Sequence, residues 1–203
     1  DVFTYTNKAY GLDYEGKKAV YAPAIANLEK IEADSLYHIK ILDRWKIKNT
    51  TGDKKPKLIL LNVSGGGSRA SMWAFKVMQH LDSVTNGASS DQIHLITGSS
   101  GGMIGAAYFR ELLHHQQETP SFKPHRKIYN YDLGKDLLNP IVFSIAVNDF
   151  FIRFQKFKYD GQLYWKDRGY AFEKQLNNNT RGLLDKPMGA YREKELKSEL
   201  PLM

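Results

Sequence analysis

The chain has 203 residues, of which 42% are hydrophobic and 25% charged, the balance of a folded protein with a sizeable core rather than of a disordered or collagen-like chain. Its 29 Lys and Arg against 22 Asp and Glu leave a net charge of +7, spread along the sequence rather than massed in a stripe, which points to anionic surfaces before nucleic acid. Cysteine is absent, so disulfide scaffolds, thiolate metal sites, iron–sulfur clusters and a cysteine nucleophile are excluded.

No run of about 18 apolar residues occurs, so no membrane-spanning helix is predicted. The chain opens at Asp1 without a signal-like segment. It closes on Glu199-Leu200-Pro201-Leu202-Met203, which reads as the approach to a strand. Both ends are expected to be cuts in a longer polypeptide, and the remainder beyond Met203 is an expected partner of this piece.

Residues 1–20 are polar and aromatic, with Gly11 and Gly16 as breakers. From Ala24 to about Trp45, Ile25, Leu28, Ile31, Leu36, Ile39 and Ile41 suit one or two amphipathic helices. Residues 48–56 form a polar loop. Leu58–Val63 is a short apolar run that fits a buried strand. Ser64-Gly65-Gly66-Gly67-Ser68-Arg69 follows as a loop, and Ala70, Trp73, Ala74, Val77, Met78, Leu81 and Val84 then recur at helical spacing. Gly87 closes that helix. Ile93–Thr97 predicts a second buried strand, Gly98-Ser99-Ser100-Gly101-Gly102 comes straight after it, and residues 103–116 predict a helix. Beyond Pro120 the pattern is irregular, except for a helix expected over residues 167–176.

Strand, glycine loop, helix, strand, tight turn, helix is a βαβα unit, which implies a parallel sheet and an α/β fold. In such sheets ligands bind beyond the carboxyl ends of the strands, where both glycine loops lie.

Residues 98–102 match G-x-S-x-G in the strand-to-helix context that this motif needs. There the nucleophile takes a strained backbone conformation, and Gly98 and Gly102 avoid side-chain clashes. Ser100 is thus the candidate nucleophile. The backbone amide of Gly101 and those of Gly65, Gly66 and Gly67 are candidate donors to a tetrahedral oxyanion. Arg69 is placed to steady the loop or meet an anion. Gly65-x-Gly67-x-x-Ala70 also satisfies a dinucleotide fingerprint, but the second strand ends without the carboxylate that holds a ribose. A P-loop is excluded because no Gly-Lys-Ser/Thr follows the glycines.

A Ser–His–acid triad lacks a suitable histidine. His114 and His115 lie some four turns along the helix that Ser100 heads, and His125 follows too soon for an intervening acid on another strand. His38, His80 and His94 read as surface or packing residues. A carboxylate partner for Ser100 fits better.

These two loops, in this order, resemble the patatin-like phospholipase family. Its members have an oxyanion loop D-G-G-G-x-R-G, a G-x-S-x-G elbow on the next strand, and a later D-G-G/A. The resemblance covers about residues 57–115. A further stretch, Asp167-Arg168-Gly169-Tyr170-Ala171-Phe172-Glu173, is similar to a segment of some bacterial members. Ser64 stands where the family has Asp, and Ala70 where it has Gly.

The resemblance implies a parallel-sheet, three-layer α/β/α fold, incomplete here, with residues 1–56 as an N-terminal extension and 57–203 as the first part of the domain. It also implies a lipid acyl hydrolase that uses a Ser–Asp dyad and no metal or other cofactor. The substrate would be a lipid or phospholipid, and the location peripheral to a bacterial membrane. Asp160-Gly161 is the only Asp-Gly after the elbow, but it continues Gln162-Leu163 and reads as a turn. The dyad Asp is therefore expected beyond Met203, with Asp160 as the lesser candidate. Two alternatives stay open: a non-catalytic patatin-like module that binds lipid or a partner, and a serine esterase with a triad completed outside this chain.

Residues 141–159 interleave Phe143, Phe150, Phe151, Phe154 and Phe157 with Arg153, Lys156 and Lys158. Aromatic anchors beside cations suit an anionic bilayer surface; packing on a core with a basic edge is the simpler expectation.

Overall fold

The structure, a computed structural model, describes residues 27–150 and 155–203. In chain order these form α1 (Leu28–Asn49), β1 (Ile59–Val63), α2 (Gly67–Val84), α3 (Ala88–Gln92), β2 (Ile93–Gly98) and α4 (Ser100–Glu118). Then come α5 (Lys127–Leu133), α6 (Leu138–Ser144), β3 (Lys156–Tyr159), β4 (Gln162–Trp165), α7 (Arg168–Asn179) and α8 (Arg192–Leu196). The architecture is mixed α/β with a small parallel sheet. Among the described residues, 27–134 with 183–203 form one compact unit, and 135–182 belong to another.

In the larger unit, β1 and β2 pair in parallel, from Ile59 opposite Ile93 to Val63 opposite Gly98. The ladder gains a third member at Leu202. Its carbonyl accepts from the Ile96 amide at 2.8 Å and its amide donates to the His94 carbonyl at 2.9 Å. The core joins the strands to α2 and α4 through Ile96, Phe75, Tyr108, Phe109 and Leu112, all essentially without exposure. Phe75 meets Tyr108 and Phe109 at ring distances of 5.4 and 5.8 Å, which adds aromatic contact to the apolar burial.

Small residues set how closely α2 and α4 approach. A Cβ built on Gly101 would overlap the Gly67 carbonyl, and one on Gly105 would overlap the Ser71 carbonyl. Both pairs are four residues apart on their helices, so one bare stripe on α4 receives the backbone of α2 at its N-terminal end.

The helix expected over residues 24–45 is observed as α1. Its start is capped by Asn27, whose Oδ1 accepts from the Lys30 amide at 3.1 Å. Lys46 and Lys48 in the last turn complement the helix dipole. Its buried face differs from the one expected, since Leu28, Ile31, Leu36 and Ile39 are exposed and only Ile41 and Trp45 are buried. The reason is tertiary. The C-terminal half of α1 is tied to the end of the chain by Ser198 Oγ donating to the Ile41 carbonyl (2.9 Å) and Arg44 donating to the Leu196 carbonyl (2.6 Å). These ties also place α1 in the same unit as residues 57–134, so the expected boundary at 56/57 is not where the units divide. Residues 1–26 of that expected extension lie outside the described residues.

Asn86 (φ +50) and Gly87 (φ +89) end the turn after α2 in the left-handed region, as the closing role of Gly87 requires. The short helices α3 and α5 fall in stretches that sequence periodicity leaves unassigned.

The far end of α4 is held by a buried carboxylate. Glu111, fully buried, accepts from Lys186 Nζ at 2.6 Å and the Tyr191 hydroxyl at 2.5 Å, and lies 3.2 Å from His115 Nε2. Arg110 pairs with Glu195 beside it. His114, on the same turn, has its pKa lowered from 6.5 by burial, against the opposing pull of Glu111 and Glu118. The folded protein therefore binds fewer protons here than the unfolded chain below about pH 6.5. Stability from this group is present above that pH and declines as pH falls through and below it. Urea midpoints measured from pH 7.5 to 5.5 are expected to fall less steeply in His114→Gln than in the parent; equal slopes would remove His114 from the acid response.

In the smaller unit, β3 and β4 form a hairpin with Tyr159 opposite Gln162. Its two loop residues, Asp160 (φ +47) and Gly161 (φ +78), both occupy the left-handed region of a type I′ turn, for which Asp-Gly is a favoured pair. Asp167 caps α7, its Oδ1 accepting from the Tyr170 amide at 3.0 Å, and this is the helix expected over 167–176. Phe157 is half-buried against Tyr164 and Tyr170, whereas Phe143 and Phe150 are exposed. Phe151, Arg153 and Phe154 lie outside the described residues. Among the described residues no helix is long and apolar enough to cross a membrane.

Candidate active site

The two glycine loops meet at the carboxyl end of the parallel pair. The Ser99 amide donates to the Val63 carbonyl at 3.2 Å, carrying the ladder one residue past β2 and clamping the second loop to the end of β1. Gly98 sits at φ +155, and a Cβ there would strike the Val63 carbonyl and side chain. Gly102 is equally constrained, facing the Ser64 carbonyl. Both glycines are thus required by close backbone approach.

Ser100 itself is at φ +49, a conformation that a non-glycine residue adopts at a cost of order 1–3 kcal/mol. It is the first residue of α4, and its side chain is exposed. A strained, exposed serine between a strand and a helix is the geometry of a nucleophile elbow. Its hydroxyl has no hydrogen-bond partner among the described residues.

The first loop lies directly against this serine. A Cβ built on Gly65 would stand 3.0 Å from Ser99 Oγ and 3.4 Å from Ser100 Cβ. Gly66 (φ +134) and Gly67 (φ +61) then turn the backbone into α2 in conformations that L side chains rarely adopt. So the start of α2 and the start of α4 come together beside one hydroxyl.

Neither helix start has a side-chain cap, and neither has a carboxylate in its first turn. Amides of a first helical turn lack intrahelical acceptors, and the helix dipole makes that end positive. Arg69, exposed in the first turn of α2 and in no ion pair among the described residues, adds a full positive charge where the dipole disfavours one. The amides at these two helix starts make the space beside Ser100 suited to negative charge, while Arg69 lies with Met72, Trp73 and Lys76 on α2.

The histidines are engaged elsewhere or lie apart from the loop. His114 and His115 contact Glu111 and Glu118, 14 and 15 residues along α4, roughly 21 Å of helix from Ser100. His125 Nε2 is 2.9 Å from Asp82 Oδ2. His94 lies within β2 with its ring against Trp45, and burial followed by the charge of His38 lowers its pKa. Asp160 is accounted for by its hairpin turn. Sequence reasoning missed the Asp82–His125 pair, since 43 residues separate its members and no local motif joins them.

No family profile, curated protein or solved structure matches this chain.

Proposed function

We propose that the chain carries the nucleophile and oxyanion-binding parts of a serine acyl hydrolase acting on lipid acyl esters, in a three-layer α/β/α architecture of patatin-like type. The observation that carries this reading is Ser100, strained and exposed at the start of α4, with Gly65 packed against it.

Ser100 Oγ attacks the ester carbonyl carbon as its proton passes to a carboxylate base, which the family resemblance implies is an aspartate. The carbonyl π electrons move onto oxygen, and amides of Gly66, Gly67 and Gly101 receive that charge. Collapse expels the alcohol, which takes up the proton, and leaves an acyl-enzyme. Water then attacks the acyl carbon, returns the hydroxyl to Ser100 and releases the fatty acid. Preset backbone donors cost no reorganisation as charge develops, so a bare-backbone loop suits this chemistry.

A contact with a membrane surface belongs to the same proposal. Leu138, Val142, Phe143 and Phe150 are all exposed in the smaller unit, and apolar side chains beside cations favour an anionic interface. The unpartnered Ser100 hydroxyl favours the second reading, a patatin-like module that binds lipid without turnover.

Hydrolysis of a fluorogenic long-chain acyl ester separates the two. The rate is expected to fall at least about 10³-fold in Ser100→Ala. Turnover that persists in that variant, or no turnover by a polypeptide that also supplies the dyad aspartate, would overturn the hydrolase reading.

A further inference from the structure

We propose that the outer face of α2 is a binding groove for a single long-chain anionic amphiphile, with its head on Arg69 and Lys76 and its chain along Trp73 toward His125. Two hollows, of about 500 and 380 Å³, adjoin on this face and share Trp73 and Lys76 as wall residues. The smaller one also takes in Arg69 and Met72, and so begins where the glycine loop ends. The larger one extends to His80 and His125. From Arg69 to His80 the groove follows eleven residues of helix, about 16 Å, a length suited to much of an extended acyl chain.

The far wall is fixed from beneath. Asp82, only 3% exposed, holds His125 at 2.9 Å. Gln79 Nε2 donates to the Pro124 carbonyl at 3.1 Å and Gln79 Oε1 accepts from Asn130 Nδ2 at 3.0 Å, so the segment around residue 125 is bound to α2 at three points. The concavity is thus built by buried polar contacts rather than by mobile surface chains.

Charge selects the occupant. Arg69 and Lys76 line the groove, neither has an ion pair among the described residues, and no carboxylate lines either hollow. Trp73 is 73% exposed, a large apolar surface left open to solvent between the two cations. A neutral lipid would gain the apolar contact alone; an anionic one gains both. The choice of a long-chain ligand rests on the acyl-hydrolase reading.

Fluorescence quenching tests this in the Ser100→Ala chain, where turnover plays no part. Dibrominated stearate, titrated below its micelle concentration, is expected to quench Trp73 emission, and the effect to vanish in Trp73→Phe. Lys76→Glu is expected to raise the half-saturating concentration about tenfold, and the brominated neutral monoacylglycerol to bind at least about fivefold more weakly. Equal quenching by the neutral lipid, or indifference to Lys76→Glu, would overturn the proposal. Quenching seen only with brominated phosphatidylserine vesicles would overturn it too, by making this face a bilayer contact. Loss of the groove would leave chemical labelling of Ser100 intact, and loss of labelling would leave quenching intact.

Discussion

Gly101→Ala is expected to destabilise the larger unit by about 3 kcal/mol and to abolish reactivity at Ser100. The new methyl group would fall on the Gly67 carbonyl oxygen, carbon and Cα, all main-chain atoms that cannot rotate away. Relief requires the N-terminal ends of α2 and α4 to move apart, and these ends are the walls of the candidate site. Stability and reactivity should therefore fall together. Gly189→Ala is the control. Gly189 has no heavy atom within 4 Å of a built Cβ and no positive φ, so its replacement is expected to change stability by less than about 0.5 kcal/mol. Urea denaturation of the two variants measures the difference. A Gly101→Ala protein as stable as the parent would mean that the two helix ends do not pack this closely.

Glu111→Ala is expected to cost about 3–5 kcal/mol, because it leaves the Lys186 ammonium and the Tyr191 hydroxyl without their buried acceptor. Glu111→Gln should cost less, since an amide oxygen still accepts one of these bonds. Tyr191 reports the same site optically. Its pKa is raised well above 10.0, first by burial and then by the hydrogen bond and charge of Glu111. Without that carboxylate charge, phenolate absorbance in Glu111→Gln is expected to appear at lower pH than in the parent. The linked stability is fully present below pH 10 and is lost as pH rises beyond it, because the unfolded chain releases the phenolic proton first. Unchanged titration would separate Tyr191 from Glu111.

The parts of the fold legible in sequence are those whose signals are local. Leu58–Val63 and Ile93–Thr97 are short apolar runs, and the helix after each repeats its apolar residues at the right period. The elbow was legible for the same reason: Gly98, Ser100 and Gly102 act within five consecutive residues. Parts fixed by distant contacts were not legible. In α1 the apolar residues cover most of the circumference, so distant contacts, the ties from Leu196 and Ser198 and the ring of His94, decide that Ile41 and Trp45 are buried. Stretches such as Lys127–Leu133 and Arg192–Leu196 are too short to show a period, and gain their helicity from packing. The buried carboxylate at Glu111 gave no sign either, since its partners Lys186 and Tyr191 lie 75 and 80 residues away.

The central claim is that the Ser100 hydroxyl is an activated nucleophile set before amides that receive negative charge. The most direct measurement is peptide mapping by mass spectrometry after treatment with a fluorophosphonate. One adduct per chain on Ser100, absent in Ser100→Ala, is the predicted result. No adduct on a polypeptide that also supplies the dyad aspartate, or labelling spread over Ser64, Ser68 and Ser99 as well, would contradict it.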